Sequence, residues 1–350
     1  DGLNANNLIG FTSGQVYFTE GLPAESGGGQ APYPPGQYIV VAPMQLLIRT
    51  RPDEISASRL LLKIANAVWD SLVVGLVWYL LRRGGGGPRA ALLGAALYVL
   101  PPPLLKSLSV GEFANVFGQA LALPLLALLA LRAQELRRPA IFAALLGLMG
   151  LALLGHLGVT ISIFCLLACL TATWLLGRET RRSIPALAFA GTLVVALVGL
   201  FYYTALGDVL IDRMRAPASE SIGLLEKLTR EVNRSRDLGL HPLALALGAL
   251  GTALLALRRP APLCPRPALG ALLLAWWGGT LLSLGLLLFA NQGVRWQSFL
   301  YPALCVGAGP ALAAFLPRGR AGRIMTSALV IFLLWYGLVL WTTQIRDYLH

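Results

Sequence analysis

The chain has 350 residues, 56% of them hydrophobic and 13% charged, with a mean hydropathy of +0.69. This excludes an ordinary soluble domain and points to a membrane protein. The net charge of +12 comes from 25 arginines and three lysines against 16 acids, and its placement between apolar runs makes nucleic-acid binding unnecessary as an explanation.

The sequence starts at Asp1 without a methionine, so a preceding segment is expected. Residues 1–59 read as a loop outside the membrane carrying short juxtamembrane helices. Within it, "GGGQAPYPPGQYIVVAP" (27–43) runs abruptly into an apolar segment. Pro34 and Pro35 fix two successive φ angles, and Pro35 pushes Pro34 away from helical geometry, so the chain arrives extended and starts a helix at about Gly36. The glycines at 27–29 match neither a P-loop nor a dinucleotide fingerprint.

A first span is expected near 60–81. Arg59, Lys63, Asn66 and Asp70 recur along it at spacings of 4, 3 and 4, which places them on one helix face as a polar stripe. Arginine clusters then punctuate the apolar runs: Arg82, Arg83 and Arg89; Arg132, Arg137 and Arg138; Arg178, Arg181 and Arg182; Arg258, Arg259 and Arg266; Arg318, Arg320 and Arg323. Between Arg89 and Arg132 lie 42 residues, and between Arg138 and Arg178 lie 39, enough for two crossings each at about 20 residues per helix. The same rhythm gives hairpins at 183–257 and 267–317 and a last span near 324–343. The fold class is therefore an all-α polytopic membrane protein with about ten transmembrane helices: a bundle over 60–343, an outer loop at 207–239 and an extracytoplasmic tail at 344–350. The five clusters contain only Glu135 and Glu179 as acids and hold the whole positive excess, which makes them cytoplasmic.

The polar pieces then face outward: 1–59, the tip "KSLSVGEFAN" (106–115), the turn "GHLG" (155–158), the loop 207–239 and "NQGVRW" (291–296). In 207–239, Ile222, Leu225, Leu228 and Val232 alternate helically with Glu226, Lys227, Arg230 and Glu231, which predicts a short helix lying on the outer leaflet. Cys165, Cys169, Cys264 and Cys305 stand in or beside apolar runs without CxxC or nearby histidines and read as packing residues.

The Y-P-P-G at the start of an apolar helix, the "GLP" at 21–23, "GEFANVFGQALALPLLAL" (111–128), "GHLGVTISIF" (155–164) and "RWQSFLYPALCVGAGPAL" (295–312) form an ordered set that resembles the GT-C membrane glycosyltransferases. The resemblance implies a sugar transferred from a polyprenyl-phosphate donor to a protein or glycan acceptor at the extracytoplasmic face of the cell membrane. It also implies a first-loop acid, whose position here is Asp1, and basic residues on other outer tips that hold the lipid phosphate. Many relatives carry a histidine shortly after that acid, where this chain reads "DGLNANN".

Such a transfer needs a carboxylate to deprotonate or orient the acceptor and a cationic clamp for the departing phosphate. Asp1 and Glu112 are the catalytic candidates. Glu112 is otherwise read as an acid favoured at a helix N-terminus. Arg295, beside Trp296, has the planar donors to grip a phosphate, or else snorkels to the interface. Lys106, after the helix-breaking prolines 101–103, is a further phosphate candidate. His156 is a substrate contact or a satisfied structural group. Glu20 and Tyr33 belong to the loop over the cavity. The stripe of Arg59, Lys63 and Asp70 is either a wall of the lipid-phosphate cavity or a site of interhelical pairing, because ionisable groups inside a span are expensive. No cofactor is called for, and a divalent metal stays open. A transporter, or a noncatalytic subunit working with other membrane subunits, are the rival functions.

Overall fold

The computed structural model describes residues 36–45, 54–109, 113–201, 223–257, 268–290, 296–317 and 319–349, and every regular element among them is helical. In chain order these are α1 (Gly36–Gln45), α2 (Glu54–Arg83), α3 (Pro88–Leu97), α4 (Pro102–Ser109), α5 (Phe113–Arg132), α6 (Pro139–Leu153), α7 (Leu157–Leu176), α8 (Arg178–Arg181), α9 (Ile184–Phe201), α10 (Leu224–Asp237), α11 (Pro242–Leu257), α12 (Ala268–Ala290), α13 (Trp296–Ala313) and α14 (Gly319–Leu349).

Six segments are long and apolar enough to cross a membrane, and a seventh arises if α10 and α11 are joined as one bent span. The sequence expectation of about ten exceeds this, for reasons of length and composition. α6 and α9 are apolar but short. α13 carries Gln297 and Ser298 in its first turn and two prolines, Pro302 and Pro310, in its interior, which dilute its apolar character. It is nevertheless the centre of the molecule: every residue from Gln297 to Leu312 is buried, with α11 and α3 packed most closely on it.

Small residues allow that closeness. A methyl group on Gly251 of α11 would strike the Gly307 carbonyl of α13, and one on Gly307 would strike the Gly248 carbonyl. Helices without a hydrophobic drive toward each other in lipid gain from such backbone contact. Large apolar side chains cover the outside instead: Leu92, Leu176, Phe189, Leu257, Leu281 and Ile331 are all exposed. An aqueous protein would not leave so many uncovered.

The second span is discontinuous. α3 ends at Leu97 with Tyr98 as its cap, and α4 restarts at Pro102 within the triple-proline run, because prolines lack the amide that would continue α3. The Tyr301 hydroxyl donates to the freed Leu97 carbonyl at 3.3 Å. Non-helical backbone at membrane depth persists only where protein or a cavity satisfies it.

Helix polarity sorts the ends of the bundle. α2, α5 and α7 carry arginines at or just past their C-termini, while α3, α6 and α14 carry them at or just before their N-termini. Glu135 binds Arg132 at 2.9 Å and Arg138 at 2.8 Å, closing the α5–α6 turn. At the opposite ends stand Asn115, His156, Lys106 and Thr343.

α10 departs from the pattern of a soluble amphipathic helix. Its apolar residues Leu224, Leu225, Leu228 and Val232 are exposed, whereas Lys227, Glu231 and Ser235 turn to the protein. Lys227 Nζ donates to the Leu288 carbonyl at 3.1 Å, and Glu231 accepts from Trp296 and Gln297. α10 meets α11 at 94°. A helix with its greasy face outward, at right angles to a neighbour, suits an interfacial position.

Candidate functional site

A file of buried polar side chains runs from the middle of the bundle to α10. At its deep end lies Asp70 of α2, 7% exposed, whose Oδ1 accepts the Tyr98 hydroxyl at 2.9 Å. The break after α3 turns Tyr98 toward α2, and Gln119 of α5 donates from Nε2 to the Tyr98 oxygen at 3.2 Å. Gln119 Oε1 and, one turn above Asp70, Asn66 Oδ1 are buried without a hydrogen-bond partner.

One helical turn from Gln119, Asn115 joins it in lining a cavity of about 10 Å³ with His156, Gly158, Ser162 and Ser298. That volume suits one water molecule rather than a substrate. His156 caps α7: its Nδ1 accepts the Gly158 amide at 3.1 Å. Burial pushes the imidazole down from its ordinary value of 6.5 to about 4, and the cap bond requires an unprotonated Nδ1 as well. The ring is therefore neutral at physiological pH.

The file continues through Gln297, fully buried, which donates to Glu231 at 3.1 Å and to Ser235 at 3.3 Å. On the other side of α10 opens a cleft of about 520 Å³ between α4, α10 and α14, lined by Lys106, Asn233, Arg236, Asp237, Tyr336, Leu340 and Thr343. This cleft is large enough to hold a ligand headgroup.

The sequence-derived candidates divide accordingly. His156 and Asp70 belong to the file, and Lys106 to the cleft. The stripe on α2 splits: Asn66 and Asp70 are buried, whereas Lys63 is exposed, as expected of an ammonium that would be costly to bury without a partner. Arg59 begins no described contact, since its side chain lies outside what the structure describes. Asp1, Glu20, Tyr33, Glu112 and Arg295 also lie outside the described residues. Among the described residues no three His, Cys, Asp or Glu side chains gather where they could hold a metal ion.

Sequence reasoning did not single out Tyr98, Gln119, Gln297, Glu231 or Arg236 as site residues. The available signal was uncharged polarity inside apolar helices: Asn115 and Gln119 are one turn apart on α5, and Tyr98 directly precedes the proline run.

Apolar helices with lipid-suited surfaces and a polar file opening at one end define an all-α, multi-pass membrane protein. Its fold is similar to that of the Archaeoglobus fulgidus oligosaccharyltransferase, solved tethered to an acceptor peptide containing the NVT sequon, with a TM-score of 0.55 and 14% identity over 89% of this chain. That protein is a membrane glycosyltransferase of the GT-C type, so the resemblance read from the sequence holds at the level of fold. The chain spans 47% of its length. No protein-family model and no curated protein sequence matches.

Proposed function

We propose that this chain is a membrane glycosyltransferase that moves a sugar from a polyprenyl-phosphate donor to an acceptor at the extracytoplasmic face. The observation that carries the reading is the likeness in fold to an oligosaccharyltransferase over 89% of the chain. The gathering of polar tips at the end opposite the arginines supports it. In this reading the bundle makes ten passes, with α6, α9, α11 and α13 completing the six long spans, and the arginine clusters face the cytoplasm.

The chemistry is a single displacement with inversion. The acceptor oxygen or nitrogen attacks the anomeric carbon as the carbon–oxygen bond to phosphate breaks. The acceptor's proton passes to a carboxylate, and the phosphate leaves with the bonding pair. Asp1, or an acid preceding it, takes the proton, and Glu112 stands as the second acid. Arg295, with Lys63 or Lys106, steadies the departing phosphate. Arg59, Asp70, Glu20, Tyr33 and His156 shape or line the cavity.

The test uses the protein in lipid nanodiscs with a synthetic polyprenyl-phosphate hexose and, as acceptors, an NVT-containing peptide and a glycan panel. Transfer by the wild type that is lost in Asp1→Asn and impaired in Arg295→Lys supports the assignment. A wild type that moves no sugar to any acceptor refutes it. One observation favours a transporter as second reading: Asp70 is bonded to Tyr98 beside a discontinuous span, and broken helices next to an ionisable group mark many transport sites. Uptake of the donor lipid's headgroup into sealed vesicles without transfer would favour it.

A further inference from the structure

We propose that the cleft between α4, α10 and α14 is a binding site for the phosphate of a membrane lipid with a hydroxylated headgroup. Three segments distant in sequence converge there, and each contributes a polar group of a different kind. Lys106 comes from the end of α4, Asn233, Arg236 and Asp237 from the last turn of α10, and Tyr336 and Thr343 from α14.

Depth is the first argument. α10 turns its apolar side outward and meets α11 at 94°, so it lies along the membrane surface while α14 stands across it. The cleft occupies the corner between an in-plane helix and an upright one, at the level of lipid phosphates. Below it, α14 exposes Ile331, Trp335, Leu338 and Val339, an apolar wall along which acyl or prenyl chains can run.

Charge is the second. Lys106 and Arg236 bring two positive charges against the single carboxylate of Asp237, which leaves the cleft net positive and suited to one phosphate. The Asp237 carboxylate and the Asn233 amide oxygen are acceptors for hydrogen bonds from hydroxyls, such as those of a glycerol or a sugar. Tyr336 is held from behind, its ring 4.9 Å from that of His241 at an angle of 71°, so its phenol edge has a fixed place in the wall.

The third argument is separation. Glu231 and Ser235, on the other side of α10, are engaged with Trp296 and Gln297, and the cleft shares no lining residue with the water-sized inner cavity. The inference rests on the membrane placement of this end and requires no transfer chemistry.

Two lipids offer this chemistry, an isoprenoid phosphate sugar and a glycerophospholipid such as phosphatidylglycerol, and a soluble hexose 1-phosphate offers it without a tail. Binding of each is measured by native mass spectrometry and by titration, with the protein in phosphatidylcholine nanodiscs. Arg236→Gln and Lys106→Gln are expected to weaken lipid binding roughly ten- to a hundredfold, since each removes a charge-assisted hydrogen bond. Asp237→Asn is expected to retain affinity for phosphate and lose preference for the hydroxylated head. Arg320→Gln, at the opposite end, is expected to change nothing. Melting temperature is followed throughout, and Arg236→Lys keeps the charge as a second variant should Arg236→Gln unfold the last turn of α10. Preference between the two lipids identifies the source, and both outcomes support the site. Tight binding of hexose 1-phosphate equal to that of the lipids overturns the lipid assignment. Wild-type affinities in both Arg236→Gln and Lys106→Gln, or no binding of any probe to the wild type, overturns the site. Normal lipid binding without sugar transfer would remove the proposed enzyme and leave this inference standing; transfer with unaltered binding in the variants would do the reverse.

Discussion

The hydroxyl of Tyr98, at the break in the second span, donates to the carboxylate of Asp70 at 2.9 Å, and the two are 28 residues apart in sequence. Gln119 donates to the same phenol oxygen at 3.2 Å, so three helices are tied at one buried point. In a protein interior each member of such a set depends on the others, because any one left alone is a desolvated polar group.

Removing the phenol hydroxyl therefore affects two partners. Tyr98→Phe should destabilise the protein by about 1–3 kcal/mol, since a buried acceptor loses its donor. Asp70→Asn, which keeps an acceptor for Tyr98, should cost less. In the double variant Tyr98→Phe with Asp70→Leu, part of the loss should return, as replacing both partners by apolar groups is cheaper than orphaning one. Thermal unfolding in a mild detergent measures all three together with Asp70→Leu alone, which completes the cycle. Strictly additive effects would mean that the contact carries no coupling.

The seam between α11 and α13 makes a sharper steric prediction. Gly251→Ala places a methyl against the Gly307 carbonyl, and overpacking of this kind costs about 1–3 kcal/mol. Gly285→Ala on α12 and Gly191→Ala on α9 add methyls with nothing within 4 Å and should be neutral or slightly stabilising. If Gly251→Ala melts with the two controls, the close approach of the helices is not what holds the seam.

His156 gives the pH dependence. Its folded value of about 4 lies below the ordinary 6.5, so between those values the unfolded chain binds more protons than the folded one. Stability is full above about pH 6.5 and falls as the pH drops toward 4, by at most about 1.4 kcal/mol per pH unit for one proton. Asn115, Gln119, Ser162 and Ser298, which line the cavity with it, carry no charge to oppose this. His156→Gln should flatten the slope across that window. An unchanged slope in the variant would assign the acid sensitivity to another group.

The helix boundaries were legible in the sequence wherever a backbone rule governs them. Prolines at 34 and 35 set the start of α1 at Gly36, and those at 101–103 broke the second span. The amphipathic stretch near Leu225–Val232 was also readable as a helix. What periodicity could not tell is which side of it faces the protein, because Glu231 turns inward only once Trp296 and Gln297 are opposite. The polar stripe on α2 was legible as a face, but its division between exposed Lys63 and buried Asp70 depends on what packs at each height. Tyr98 was invisible as a site residue for the same reason: a tyrosine in an apolar run gains meaning from Asp70, and that pairing is made by the tertiary fold.

The last prediction concerns how the chain reaches the bundle. The Gly36 amide donates to the Leu154 carbonyl at 2.7 Å, and a methyl on Gly36 would collide with that same carbonyl. Gly155, next in line, packs against Gly118, so the segment after Pro34 and Pro35 seats on the tip that carries His156. Gly36→Ala must lift α1 from this seat, while the helical bundle does not depend on it for insertion. If residues before Gly36 carry the catalytic acid, transfer from a polyprenyl-phosphate hexose should fall steeply, because a misplacement on the order of 1 Å can cost about a hundredfold in rate. Gly75→Ala, with nothing within 4 Å of the added methyl, is the control. Lower transfer at an unchanged melting temperature supports positioning of the first loop through this contact. Loss of stability without a specific loss of transfer makes the seat a structural anchor alone, and normal transfer in Gly36→Ala removes the contact from any catalytic role.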